Sequence, residues 1–428
     1  MARRPVTIPQ RAAELDHQVS DLFAPRNAGR VGVEVELIPV RGCPPRPVPL
    51  ADTVAAIGAH DRALLSDARV SFEPGGQVEL SPPPRASLRE ALAALDGLIA
   101  RLDGALAAES IVAVSSGLNP WHGTADVPLQ LDAERYRLMQ RHFDGIAVAG
   151  REMMRLTASL QVCVDLSDGD DGVEQWLLAN RMGPALTAVF ANSGVGERGA
   201  TGWTSTRSHI WQRLDPARTG FDGAQVSGAE RVAAYADFAG AVAALPLSRD
   251  DRRVQPVLPA GTSFGDWADA DGAALPGDGA TRPDAGDVTH HLTTLFPPVR
   301  PRGYLEVRYL DVPPRRGTAL AVSVVAVLLQ DAPARRAALA ALQDTERGAW
   351  LELWEAAAHQ GVVNPWLRHE ALALLDIAHD ALRRTGYGAV ARHLVDFRDA
   401  YPRMRRTWSD DQVDRITGND AEDPAAWT

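Results

Sequence analysis

Residues 30–39 read Arg30-Val-Gly-Val-Glu-Val-Glu-Leu-Ile-Pro39, and this alternation decides how the chain must fold. Successive side chains of a β-strand point to opposite faces, so Val33, Val35 and Leu37 share one face while Glu34 and Glu36 share the other. The segment is a half-buried strand, apolar on one side and carboxylate on the other. Working outward, Arg69-Val-Ser-Phe-Glu-Pro-Gly-Gly-Gln-Val-Glu-Leu-Ser81 predicts a hairpin around Pro74-Gly75-Gly76, because proline presets a turn and glycine admits positive φ. Its arms carry Glu73 and Glu79. Ser87 followed by Glu90 has capping-box spacing, and Leu88, Leu92, Leu95, Ile99, Leu102 and Leu106 then recur at helical intervals.

Further along, Ile111 to Ser115 reads as a strand and Asp132 to Arg151 as a helix. Arg155 to Leu166 is the cleanest alternation: Leu156, Ala158, Leu160, Val162, Val164 and Leu166 face one way, and Arg155, Thr157, Ser159, Gln161, Cys163 and Asp165 the other. Gly261 to Asp287 is rich in Gly, Ala, Asp and Pro and reads as a long mobile loop. Tyr304-Leu-Glu-Val-Arg-Tyr-Leu-Asp311 repeats the strand pattern with Glu306 and Arg308 on one face. Beyond Gly317 the chain reads as helices, ending in a polar tail over 418–428. Strands and helices do not alternate one for one, so an α+β fold is expected, with a largely antiparallel sheet covered by helices on its apolar face. Length alone would suggest two or three domains. The pattern instead divides one catalytic domain over 1–428 into a sheet region at 30–312 and a mainly helical part at 317–417.

Composition narrows the chemistry. The 428 residues hold 44 Lys+Arg against 55 Asp+Glu for a formal net charge of -11, which makes nucleic acid an unexpected partner. No lysine occurs anywhere in the sequence. That excludes a Walker A loop, a protein-kinase strand lysine and a pyridoxal Schiff base, each of which needs an ammonium or amine. The two cysteines, Cys43 and Cys163, are too few for a thiolate zinc site or a disulfide framework; a single bridge between them stays open. The longest apolar run, Ala319 to Leu329, is far shorter than the ~18 residues of a membrane span, and the N-terminal residues lack a signal-peptide core. A cytoplasmic location without membrane attachment is the expectation.

If these strands share one sheet, their second faces pool Glu34, Glu36, Glu73 or Glu79, Gln161, Glu306 and Arg308. Such a face repels itself unless water or cations compensate it. Oxygen-only ligands suit Mg²⁺, or Mn²⁺, rather than zinc, and hard cations beside arginines are equipment for a nucleoside triphosphate. A Glu-x-Glu on one strand is by itself most often a solvated face. Three segments that each back an apolar face with carboxylate, amide or arginine argue for a working one.

The quoted segments Glu34-Val-Glu36, Phe72-Glu-Pro-Gly-Gly-Gln-Val-Glu-Leu-Ser81 and Thr157-Ala-Ser-Leu-Gln-Val-Cys-Val-Asp165 resemble those of the plant-type glutamate-cysteine ligases. Arg207-Ser-His-Ile-Trp-Gln-Arg-Leu-Asp-Pro-Ala-Arg-Thr-Gly220 and His291-Leu-Thr-Thr-Leu-Phe-Pro-Pro-Val-Arg-Pro-Arg-Gly-Tyr-Leu-Glu-Val-Arg308 extend the resemblance, in the same order, across roughly residues 30 to 312. The ending Arg308-Tyr-Leu-Asp311 and the stretch Phe264 to Asp269 look most like the actinobacterial branch that makes γ-glutamylcysteine for ergothioneine. The resemblance implies a glutamine-synthetase-like fold, with a curved sheet of about six strands whose concave face forms the site. It implies that ATP phosphorylates the γ-carboxylate of glutamate and that the amino group of cysteine attacks the acyl phosphate. By the same resemblance Glu34, Glu36, Glu79 and Glu306 are metal ligands, Arg308, Glu36 and Glu306 are catalytic, and Gln161, Arg135, Arg155, Arg207, Arg300 and His291 bind ATP or substrate. Glu73 is read as a support of the hairpin. The family commonly has asparagine where this chain has Cys163, which is read as a small packed side chain.

Rival patterns are weaker. Gly194-Val-Gly-Glu-Arg-Gly199 fits a dinucleotide fingerprint, but no good helix start follows it. Gly261-Thr-Ser-Phe-Gly265 fits a nucleophile elbow, with Asp287 and His291 in hydrolase order, yet no strand before it or helix after it is expected. His369-Glu370 lacks the second histidine of a zincin. A carboxylate-amine ligase with another acceptor and a two-metal phosphohydrolase remain the alternatives.

Overall fold

In the computed structural model, the described residues are 12–27, 29–66, 69–224, 226, 228, 230–245, 258, 261–270, 282–342, 347–418 and 421–428. Ten strands occur among them: β1 (Val31–Arg41), β2 (Arg46–Pro47), β3 (Val70–Phe72), β4 (Val78–Leu80), β5 (Ile111–Val114), β6 (Ser159–Asp165), β7 (Val195–Gly196), β8 (Gly199–Ala200), β9 (Val299–Pro301) and β10 (Tyr304–Asp311). Strand β1 is the axis of the sheet. Its apolar alternates Val31, Val33, Val35 and Leu37 are buried, and it has partners along both edges. The order is β3-β4-β1-β6-β10-β9 with every pair antiparallel, while β2 and β5 pair with the far half of β1. The expected six strands are thus the main path, and two short ones extend it.

The apolar face is covered by helices. Leu95, Leu102 and Leu106 of the helix Leu88–Ala107, and the apolar residues of Arg315–Gln330, belong to the same core cluster as Val33, Val162 and Val307. Ser87 caps the first of these helices by accepting from the Glu90 backbone N–H at 3.3 Å, as its spacing predicted. Among the described residues no single helix is long and apolar enough to cross a membrane; Arg315–Gln330 and Ala332–Ala341 meet at 95°.

Four local expectations need correction. The helix over 132–151 is two, Glu134–Asp144 and Ala149–Leu156, and they cross closely at Gly150, where a Cβ would lie 2.1 Å from Phe143 Cβ. Arg155 and Leu156 therefore end a helix, and the strand begins only at Ser159. The stretch 261–287 is not all loop: Ser263 caps Phe264–Asp269, and Asp284 caps Ala285–Thr293, while 271–281 lie outside the described residues. A helix does follow Ser263, but the hydroxyl is spent on the Asp266 N–H at 3.0 Å. The tail is no solvated end either. Trp427 is buried against Trp121, with ring centroids 5.2 Å apart, and its carbonyl accepts from Ser115 N at 2.9 Å.

Candidate active site

Residues directly opposite one another in an antiparallel pair place their side chains on the same face, so the register assembles the site. Glu36 lies opposite Glu79, Glu34 opposite Gln161, and Glu306 opposite both Cys163 and Arg300. Glu34, Glu36, Glu79, Gln161, Arg300 and Glu306, with Glu73, Arg135, Tyr136, Arg207, Trp211, Arg302 and Arg308, line a polar cleft of about 320 Å³. The hairpin that brings Glu73 and Glu79 there is locked by contact. Gly75 abuts the backbone of Arg155, where a Cβ would sit 2.2 Å from the carbonyl oxygen. Gln130 Nε2 donates to the Gly75 carbonyl at 2.7 Å, and Gln77 Nε2 to that of Thr157 at 2.8 Å.

Two electrostatic zones divide the cleft. Glu306, its side chain 1% exposed, accepts from Arg300 Nε at 2.6 Å and from Arg308 Nη1 at 2.9 Å. Burial pushes its pKa up, but the two guanidinium groups outweigh burial and hold it at about 2. The same Arg308 Nη1 donates also to Gln161 Oε1 at 2.7 Å. The second zone is Glu36, Glu73 and Glu79, whose oxygens lie within 4.8 Å of one another. Burial, followed by the charges of Glu36 and Glu79, pushes Glu73 up to about 8. Burial also raises Glu36 and Glu79. Such a trio, all oxygen, is the donor set a hard divalent cation requires.

Glu34 joins Glu306 and Cys163 in a second group of the same span, and burial with the Glu306 charge raises it to about 7. The metal set expected from the sequence is therefore split, Glu36 and Glu79 in one group and Glu34 and Glu306 in the other. Glu73, read as a hairpin support, belongs with Glu36 and Glu79. Its position one residue past β3 removed it from the strand alternation, although the hairpin arms did carry it. Cys163 is not packed in the apolar core; it sits on the cleft face, where burial and the adjacent carboxylates keep the thiol protonated. Cys43 and Cys163 are both free.

Of the arginines, Arg135, Arg207, Arg300 and Arg308 reach the cleft. Arg207 Nη2 donates to the Arg308 carbonyl at 2.9 Å, and both guanidinium groups lie over the Trp211 ring, at 5.5 and 5.9 Å. A second cavity of about 260 Å³ adjoins behind these residues, walled by Phe221, Trp350 and Trp354. Two expected residues do not reach the cleft. The Arg155 side chain turns to Gln140 and to the Thr124 carbonyl. His291 is buried, stacked on Phe264 at 4.3 Å, with Nε2 against the Ala239 carbonyl at 2.8 Å. Trp211, Tyr136 and Arg302 escaped the sequence reading because helical and turn residues carry no alternation to betray which way they face.

A sheet face carrying a carboxylate trio beside ordered arginines is the class of site that enzymes use for multiply charged substrates. Comparison with known proteins agrees. Residues 30–410 match the family described as glutamate-cysteine ligase family 2. The chain is 36% identical over 353 residues to the glutamate–cysteine ligase EgtA of Mycolicibacterium smegmatis, covering 82% of this chain and 79% of that one. It is 33% identical over 381 residues to EgtA of Mycobacterium tuberculosis, covering 87% and 83%. Against the chloroplastic glutamate–cysteine ligase of Nicotiana tabacum it is 29% identical, covering 74% and 60%. A crystal structure of glutamate–cysteine ligase from Francisella tularensis in complex with AMP shares the fold, with TM-score 0.57 at 15% identity, covering 92% of this chain and 86% of that one. The chain belongs to glutamate-cysteine ligase family 2.

Proposed function

We propose that this enzyme joins the γ-carboxylate of L-glutamate to the amino group of L-cysteine at the cleft, at the expense of ATP, yielding γ-glutamylcysteine, ADP and phosphate. The observation that carries this reading is the convergence of the carboxylate trio Glu36, Glu73 and Glu79 with Arg308, on the same face of the sheet, and with Arg207, which reaches that face from the helix Thr206–Leu214. Glutamate's γ-carboxylate attacks the terminal phosphorus of ATP, ADP leaves, and the amine of cysteine then displaces phosphate from the acyl phosphate. No protein nucleophile is required. Arg308, held by Glu306 and Gln161, faces the charge that develops on the transferring phosphoryl group, and a fixed donor acts there without reorganisation. Arg207 and Arg135 bind substrate carboxylates, and Arg300 serves by pairing with Glu306. Mg²⁺ held by Glu36, Glu73 and Glu79, with Glu34 and Glu306 alongside, would neutralise the phosphate chain. The whole chain acts as one catalytic unit, in the cytoplasm, where free cysteines persist. Its similarity to the two EgtA proteins, together with the motif resemblance, supports ergothioneine biosynthesis as the fate of its product.

The test is phosphate release from ATP and Mg²⁺ with glutamate, with and without cysteine, with the product weighed by mass spectrometry. γ-Glutamylcysteine formed only when all components are present is the expected result. ATP hydrolysis without glutamate would make the protein a phosphohydrolase, and a product of different mass would reassign the acceptor. Glu306→Gln should abolish turnover while leaving the circular dichroism spectrum unchanged.

A further inference from the structure

Strand β10 carries a register shift between Val307 and Leu310. In β6, Val162 and Leu160 point into the core, and they face Val307 and Leu310 respectively; Ser159 faces Asp311. Strict alternation would send Asp311 into the apolar core with Leu305 and Val307. The bulge reverses that parity and returns Asp311 to the face that bears Glu306 and Arg308. There its carboxylate is buried and accepts three hydrogen bonds: Oδ2 from Asn192 N at 2.8 Å and from Ser193 Oγ at 2.7 Å, and Oδ1 from Ser205 Oγ at 2.9 Å.

Each serine passes the restraint on. Having donated its only hydroxyl proton to Asp311, Ser193 Oγ accepts from the backbone N–H of Arg207 at 3.1 Å, and Ser205 Oγ accepts from that of Ser208 at 3.1 Å. Ser205 is the N-cap of the helix Thr206–Leu214, so one carboxylate sets the first turn of the helix from which Arg207 and Trp211 reach the cleft. Arg207 closes the loop by donating to the Arg308 carbonyl on the same strand. Burial works against the Arg207 charge, and Asp311 is the foremost charge supporting it.

We infer that Asp311 is a positioning residue for Arg207: through Ser193 and Ser205 it fixes where that guanidinium stands relative to Arg308 and the substrate. This rests on the assignment of Arg207 to substrate binding. Asp311→Asn keeps the shape and one acceptor oxygen. The amide nitrogen must face a hydroxyl, reversing the hydrogen bond at the Ser205 cap, and the negative charge is lost.

The test is a double-mutant cycle on steady-state kinetics with Asp311→Asn, Arg207→Lys and both together, on protein whose fold is verified by circular dichroism. Asp311→Asn should lower kcat/KM for glutamate on the order of tenfold, with KM for ATP little changed, and the double variant should be no worse than Arg207→Lys alone, since groups acting as a unit are non-additive. Losses that multiply in the double variant, or a fall in Tm with kcat and KM intact, would overturn the inference. Wild-type kinetics in Arg207→Lys would instead remove Arg207 from the substrate site, and Asp311 would then position nothing of consequence. Ser205→Ala deletes one arm and leaves the carboxylate, so it is read in the same cycle should Asp311→Asn not fold.

Discussion

A single residue can be fixed by sequence pattern, by register, or by neither. Glu34, Glu36 and Glu306 were legible because they alternate with core residues on long strands, and their facing partners followed once the strands paired. His291 was misjudged because a motif says which residues travel together, not which of them touch the substrate. Its imidazole is neutral and enclosed, and burial lowers its pKa from 6.5 to about 3. Between those values the unfolded chain takes up a proton that the folded chain refuses, so stability must fall as pH drops below 6.5, by at most ~1.4 kcal/mol per pH unit from this group. His291→Gln should flatten that part of the profile in urea denaturation between pH 7 and pH 4; an unchanged slope would place the sensitivity elsewhere. Glu73 makes the opposite case, a residue read as a hairpin support that lies within the carboxylate trio with Glu36 and Glu79. Glu73→Gln should reduce the rise in Tm that Mg²⁺ produces, consistent with a site about tenfold weaker; an undiminished rise would remove Glu73 from the cation site.

Elements matter here through the points where they touch. The hairpin β3–β4 was readable from Pro74-Gly75-Gly76, but its docking was not: nothing in the sequence says that Gly75 must lie against the Arg155 backbone. Gly75→Ala should cost about 2 kcal/mol by overpacking and should raise the Mg²⁺ concentration that catalysis needs, because Glu73 and Glu79 ride on the displaced arms. Chemical denaturation and Mg²⁺ titration of activity would check both, and a neutral substitution would show that the hairpin can back away freely. The break near Gly145 and the bulge in β10 escaped the sequence for a shared reason. Each is a local departure from a period, and the period still looks intact on either side. In β10 that departure hid Asp311, whose carboxylate alternation had consigned to the core.

At the scale of the whole molecule, the α+β class and the antiparallel pairing were both present in the spacing of apolar residues. The closing segment was not. Its few apolar residues gave no periodicity, yet Trp427 fills a buried place beside Trp121 and its carbonyl completes the hydrogen bonding of the strand end at Ser115. Trp427→Ala should lower stability by about 3 kcal/mol, as large-to-small core changes do, measured by denaturation; a loss below about 1 kcal/mol would mean that the tail only rests on the surface. The central strand β1 has the contrary property. It is hydrogen-bonded to β4 and β2 along one edge and to β6 and β5 along the other, so the backbone beneath Glu34 and Glu36 cannot loosen without parting the sheet. Its amides should be among the last to take up deuterium, and by the same amount with or without nucleotide. Any closure around substrate then belongs to the helix Glu134–Asp144 that carries Arg135, and not to Arg207, which is tied to β10; it moves toward a carboxylate floor that stays still.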